Sequence, residues 1–254
     1  WKNLDGFGKI LFSGTGNHRQ FMLHYETRTK ILEVPDMLEN YKTIYAGGEG
    51  EITEKKSRFI ATVRLVEKEE DALAFIEEMK KKYWDARHNC YAYSIGEHRE
   101  FTRCSDDGEP SGTAGRPMLD VILGEDIYNV AVVVTRYFGG VLLGTGGLVR
   151  AYSGAVQAGL GESTVIEKHH GISLALTADY TAIGKLQYIA AENQLPILDT
   201  EYTDRVIMHL LVPNDQAGRI QKVITEATSG RVQMEKEKEL YFADVNGEIE
   251  VFDH

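Results

Sequence analysis

One run of the chain leaves few choices for what it can fold into. Val130-Ala-Val-Val-Val-Thr135 is unbroken, apolar and mostly β-branched, the make-up of a strand covered on both faces, and it is expected to be central in its sheet. After Arg136-Tyr137-Phe138 the chain carries Gly139, Gly140, Gly144, Gly146 and Gly147. That backbone can adopt conformations closed to residues with a Cβ and can approach a ligand closely. Beyond the loop, Leu148, Ala151, Tyr152, Ala155, Val156 and Gly159 recur at helical spacing, with Arg150, Ser153 and Gln157 on the opposite side. Strand, loop and helix form one unit. It sets free N–H groups and the positive end of a helix dipole beside Arg136, a seat for a phosphate or carboxylate. The other reading of the same glycines is a turn that lets the helix pack tightly on the sheet.

The common nucleotide motifs do not fit this loop. Gly139 and Gly144 have the outer spacing of a P-loop, but Thr145-Gly146 stands where Lys-Ser/Thr is required. The dinucleotide fingerprint fails because Gly144-Thr145-Gly146 is followed by Val149 at the third glycine position.

The 254 residues, 43% hydrophobic and 26% charged, are enough for two globular domains. A net charge of -11 argues against a protein held on nucleic acid by bulk charge, so any RNA contact must come from a local basic patch. No apolar run approaches the ~20 residues that cross a membrane. Cys90 and Cys104 lack C-x-x-C spacing, which fits a reducing cytoplasm. Residues 1–36 have neither the basic start nor the apolar core of a signal peptide. They are expected to be added or upstream sequence, with Met37 as the natural start, and residues 1–40 are treated as an extension of unknown role.

Arg58 to Val66 alternates as a strand, and Glu69 to Tyr83 reads as a helix with Ala72, Ala74, Phe75, Ile76 and Met79 among charges. It ends in Lys80-Lys81-Lys82, where cations suit the negative end of the dipole; a nucleic-acid patch is the alternative. Asn89 to Ile95 and Glu100 to Cys104 make a hairpin turning near Gly96. Ser105 to Pro117, SDDGEPSGTAGRP, is dense in turn formers and too long for a simple turn. Its carboxylates lack the alternating order of a calcium loop, and no His or Cys joins them. No metal site is expected. Asp106, Asp107 and Ser111 should instead hydrogen-bond to local N–H groups, shaping the loop with Gly108, Glu109 and Gly112, while Pro117 starts a helix through Leu119, Val121 and Ile122. Ser111, His88 and Asp107 contain the parts of a hydrolase triad, but Ser111 lacks the G-x-S-x-G elbow. Cys90, in Asn-Cys-Tyr-Ala-Tyr, reads as a buried thiol rather than a nucleophile served by His88.

Four stretches carry a resemblance: KKSRFIA at 55–61, HNCYAY at 88–93, SDDGEPSGTAGRPML at 105–119 and TRYFGGVLLGTGGLVRAYSGA at 135–155. Together they closely resemble the IMPACT family, in its bacterial YigZ/YvyE-type branch, over about 41–165 and more loosely to about 250. The resemblance implies an α+β protein of two domains. Residues 41–168 would be an IMPACT-type domain with a ribosomal-protein-S5-domain-2-like fold. Residues 171–252 would be a ferredoxin-like domain similar to domain V of a translocating elongation factor. It also implies a link to translation, since eukaryotic members regulate the general-control kinase pathway and associate with ribosomes.

The residues of the second half agree with that plan. Ile172–Ala178 alternates as a strand, Tyr180–Asn193 is helical, Ile197–Tyr202 pairs with Arg205–Val212, Asp215–Thr225 is helical and Arg231–Asp244 closes as a strand. The order βαββαβ is ferredoxin-like. A linker is expected over Glu162–Gly171, where apolar density drops. Seven Lys and Arg against fourteen Asp and Glu over 171–254 make this half a poor reader of phosphate and a better candidate for protein contact.

The favoured functional reading is a translation-linked regulatory protein, without catalytic activity or cofactor, that binds RNA phosphates on the ribosome or a similar particle. Its surface would gather Lys55, Lys56, Arg58, Arg103, Arg116, Arg136 and Arg150 beside the glycines. The fold implied by the resemblance brings them together; spacing alone does not. It would read no DNA sequence. Arg116 and Arg136 are expected to contribute little to core packing. The alternative is an enzyme acting on a small phosphorylated or carboxylated ligand at the same loop, with Asp106, Asp107 and Glu109 as acid, base or Mg²⁺ ligands. A third is an adaptor using the C-terminal sheet. The lack of a complete catalytic set favours the first.

Overall fold

The structure, a computed structural model, describes residues 37–252; the expectation for residues 1–36 lies outside them. The first part of the chain runs β1 (Asn40–Ala46), β2 (Glu49–Glu54), β3 (Ser57–Leu65), α1 (Glu69–Lys82), β4 (His88–Ile95) and β5 (Phe101–Ser105). It continues through α2 (Gly115–Gly124), β6 (Ile127–Tyr128), β7 (Val130–Tyr137) and α3 (Thr145–Gly161). The second part runs β8 (Thr164–Ala178), α4 (Ile183–Glu192), β9 (Ile197–Tyr202), β10 (Val206–Pro213), α5 (Ala217–Thr228), β11 (Gln233–Val245) and β12 (Glu248–Phe252). Among the described residues no helix is long and apolar enough to cross a membrane.

β7 is the middle strand of an antiparallel five-stranded sheet of order β2-β3-β7-β4-β5. Val130, Val132 and Val134 face one way, into a core filled by Met118 and Ile122 of α2 and Ala151, Tyr152 and Val156 of α3. Ala131 and Val133 face the other way, against Phe75, Ile76 and Met79 of α1. Covering both faces is why the run has no polar alternation. The helical positions expected inside α3, Leu148 to Gly159, are its buried ones. α3 begins at Thr145, a turn earlier than the apolar spacing marks.

The C-terminal half has the expected order, with β11-β8-β10-β9 as its sheet. Its core joins Leu174 and Leu176 of β8, Met208 and Leu210 of β10, Leu186 and Ile189 of α4, and Ile220 and Ile224 of α5. The fold is thus α+β in two domains, as the resemblance implied.

The stretch read as a linker is part of β8. Residues 164–169 pair with β1 of the first half, residues 171–178 pair with β10, and β11 runs along the opposite edge from Thr177 to His169. Thin apolar density there reflects a strand whose neighbours come from both domains, with Lys168 and His170 still buried in it. Strands β1, β2, β6 and β12 were not anticipated. β2 turns only Gly50 and Ile52 inward, too little apolar pattern to read.

Ala175 sits in β8 opposite both His209 of β10 and Glu235 of β11. Ala175→Pro removes a ladder N–H from a strand paired on both sides, and we expect a loss of about 3 kcal/mol or more. Urea denaturation measures this; an unchanged midpoint would contradict the central place of β8.

Candidate functional site

All four stretches that carry the resemblance arrive at one end of the five-stranded sheet. There β2 ends and β3 begins around Lys55-Lys56, β4 begins at His88, β5 ends at Ser105 and β7 ends at Tyr137. The register places Arg58 opposite Tyr137 and His88 opposite Arg136. The β2–β3 turn, the 83–87 connection, the 106–114 loop and the glycine loop therefore share this end, and α2 and α3 both start from it. None of this proximity is visible in sequence spacing.

The 106–114 loop is built on its own carboxylates. Asp106 accepts hydrogen bonds from the N–H groups of Gly112 (2.8 Å), Ala114 (2.9 Å) and Gly115 (2.9 Å), which places a negative charge at the start of α2. Burial disfavours its charged form, but the three N–H donors outweigh burial and hold the carboxyl below its ordinary range. Asp107, at φ 42°, accepts from the Asn89 N–H at 2.6 Å. His88 donates through Nδ1 to the Asp107 carbonyl at 2.8 Å, not to its carboxylate. No triad forms with Ser111, which is exposed and, among the described residues, makes no hydrogen bond of the kind expected of it. Gly108 and Gly112 take positive φ within the loop.

Glu109 is the loop's buried anchor. It accepts from Arg136 Nη1 and, at 2.9 Å, from the Tyr152 hydroxyl of α3. Cys90 completes the network, its Sγ lying 3.0 Å from the Asp106 carbonyl oxygen and 3.3 Å from the Tyr152 hydroxyl oxygen, with one S–H to donate between them. Burial pushes the Cys90 thiol up to about 12, so it is inert as a nucleophile at neutral pH. Among the described residues no group of three or more His, Cys, Asp and Glu is arranged to hold a metal ion.

The glycine loop lies against the β2–β3 turn. A Cβ on Gly139 would stand 2.1 Å from the Lys56 carbonyl oxygen, and the Gly139 N–H donates to Ser57 Oγ at 3.1 Å. Gly140 and Gly144 hold φ values of 83° and 73°, so both use the left-handed region that favours glycine. Gly144 precedes α3 and offers no side chain as a cap, and among the described residues no side chain accepts from the first-turn N–H groups. Gly147 fits under Leu143, and Gly146 lies beneath the Arg150 guanidinium, whose Nη1 is 3.7 Å from where a Cβ would be.

The expected cations divide into two sets. Arg136 is 6% exposed and paired with Glu109, with Nε left without a partner; the expectation that it adds little to core packing is corrected. Arg58 pairs with Glu51, Arg116 with Asp120, and Arg103 with Glu69 of α1, away from the glycine loop. Lys55, Lys56 and Arg150 are exposed and form no ion pair among the described residues. Lys55 and Lys56 hold φ values of 46° and 68°, the two positions of a tight hairpin turn where Asn-Gly is the low-energy choice. Sequence reasoning missed Trp84, 83% exposed on the 83–87 connection. Its flanking Lys81 and Arg87 were the available signal.

Removing one partner of a buried ion pair strands the other, so we expect Arg136→Ala to cost about 3–5 kcal/mol. Urea midpoints decide it, and a loss within the range of surface substitutions would contradict the burial. A second outcome concerns pH. Because the folded pKa of Asp106 is depressed, its contribution is present above the ordinary aspartate value of about 3.9 and is lost as pH falls through the folded pKa. Asp106→Asn should be less stable than the parent at pH 7, with the difference shrinking on acidification; a constant difference would remove Asp106 from the acid response.

A family model described as the Impact N-terminal domain matches residues 55–160, and one described as a domain of unknown function (DUF1949) matches residues 176–231. The IMPACT family member YvyE of Bacillus subtilis (strain 168) is 40% identical over 208 residues, covering 82% of this chain and 95% of that protein. The IMPACT family member YigZ of Escherichia coli (strain K12) is 34% identical over 182 residues, covering 71% and 89%. A crystal structure of a hypothetical protein is 31% identical, covers 80% of this chain and 99% of its own, and superposes with a TM-score of 0.51.

Proposed function

The chain belongs to the IMPACT family, and we propose that it is a translation-regulatory protein of the cytoplasm that holds RNA phosphates on the ribosome or a similar particle, without catalysing a reaction. One observation carries this reading. Lys55 and Lys56, side by side at the turn that braces the glycine loop, both occupy left-handed backbone at φ 46° and 68°. Such positions cost a non-glycine residue roughly 1–2 kcal/mol each. Both ammonium groups are exposed and form no ion pair among the described residues, at a turn packed against the glycine loop that precedes α3, and the Arg150 guanidinium lies beside Gly146 in the first turn of that helix. Backbone strain kept at an exposed, charged turn beside the glycine loop supports a binding role for that turn.

The enzyme alternative needs Asp106, Asp107 or Glu109 to be available to a ligand. Asp106 and Asp107 already accept backbone hydrogen bonds, and Glu109 neutralises Arg136. The domain division we propose keeps 41–168 for RNA and 171–252 for protein contact. β9, the outer strand of the ferredoxin-like sheet, leaves Ile197, Leu198 and Tyr202 exposed for such a partner.

Replacing Lys55-Lys56 with Asn-Gly tests the reading without threatening the fold. The double variant should be more stable than the parent by about 1 kcal/mol or more, because the turn then suits its backbone. At low salt the parent should sediment with ribosomal particles and be released at high salt, and the variant should stay at the top of the gradient. A parent that never co-sediments, or a variant that still does, overturns the reading.

A further inference from the structure

Trp84 takes no part in any core among the described residues. It is 83% exposed at the end of α1, on a connection whose flanking cations Lys81 and Arg87 are also exposed and unpaired among the described residues. The connection is nevertheless tied to the end of β7: the Tyr137 hydroxyl donates to Asp85 at 2.8 Å. Directly after Tyr137, Phe138 is 48% exposed, and its ring centroid lies 5.6 Å from the Arg136 guanidinium carbon. One hydrogen bond thus links the neighbours of two exposed aromatic rings, at the end of the sheet that also carries Lys55 and Lys56.

We propose that this end of the sheet binds single-stranded RNA, with bases stacked on Trp84 and Phe138 and phosphates met by Lys55, Lys56 and Arg87. The proposal rests on the RNA reading above and adds the form of the ligand. An apolar protein surface would suit the rings but would bury the unpaired ammonium and guanidinium groups around them, at a cost in desolvation. Duplex RNA offers phosphates but keeps its bases stacked on one another. Only a strand with unpaired bases satisfies rings and cations together, the pairing by which single-strand binders work.

The chain has two tryptophans, so Trp84 is the sole reporter in a Trp1→Phe background. That protein is titrated with a single-stranded oligoadenylate of about twelve nucleotides, a duplex RNA of the same length, and heparin as a base-free polyanion. We expect the oligoadenylate to quench Trp84 fluorescence, and the duplex and heparin to bind without quenching. In the full chain, Trp84→Ala should weaken oligoadenylate binding about five- to a hundredfold by anisotropy, leaving heparin binding and the melting midpoint unchanged. Oligoadenylate binding that depends on Lys55 and Lys56, yet neither quenches Trp84 nor changes in Trp84→Ala, overturns the stacking while leaving phosphate binding in place. No binding of any RNA overturns both. Quenching by no RNA, with Trp84-dependent binding of an apolar dye, reassigns the rings to a protein contact.

Discussion

A guanidinium placed in the core constrains everything around it. Arg136 ends the strand that is buried on both faces, and its charge there costs several kcal/mol unless a carboxylate meets it. Glu109 supplies that carboxylate from a loop 27 residues earlier in the chain, so the loop cannot swing away from the sheet. Tyr152 shares the same oxygen and ties α3 to the pair, and Cys90 ties in β4. The interaction therefore aligns loop, strand and helix, and the two helix starts face a common end. Asp106 then occupies the start of α2, while the start of α3 has no side-chain cap among the described residues.

What remains exposed at this end follows from that internal pairing. In an acidic chain, most of the arginines expected at the site face carboxylates: Arg58, Arg103 and Arg116 each have one. Ion pairs of this exposed kind add little stability but lower the net field that an incoming polyanion meets. Lys55, Lys56, Lys81, Arg87 and Arg150 are left exposed and without an ion pair among the described residues, and the proposed binding rests on these few cations rather than on a count of basic residues. Binding through such a patch is short-ranged and sensitive to salt.

β8 gives the two domains a common element. Its first half closes on β1 and its second half on β10, with β11 alongside both. A continuous strand transmits a fixed orientation where a flexible linker does not. The glycine-loop end of the first domain and the acidic ferredoxin-like sheet are therefore held by one backbone.

Local pattern was enough for the parts of this fold whose burial repeats along the chain. Val130–Thr135 was legible as a central strand because a strand without a solvent face has no polar positions, and α3 and the βαββαβ order were legible because each buries a periodic face. The turn-shaping role of Asp106 could be read as well, since its partners Gly112, Ala114 and Gly115 lie close in sequence, whereas Asp107 reaches not to a local N–H but to that of Asn89 on β4. Other features depended on partners far apart in the chain. Arg136 looked like a surface cation until Glu109 and Tyr152 were found against it, and the supposed linker looked unstructured until β1, β10 and β11 were seen to pair with it. The exposure of Trp84 could not be read from the sequence, because exposure is set by what fails to pack on a residue. Sequence by itself determined which segments bury a face; tertiary structure alone decided which charges are neutralised and which stay exposed and unpaired, because electrostatic pairing is a property of distance in space and not of distance along the chain.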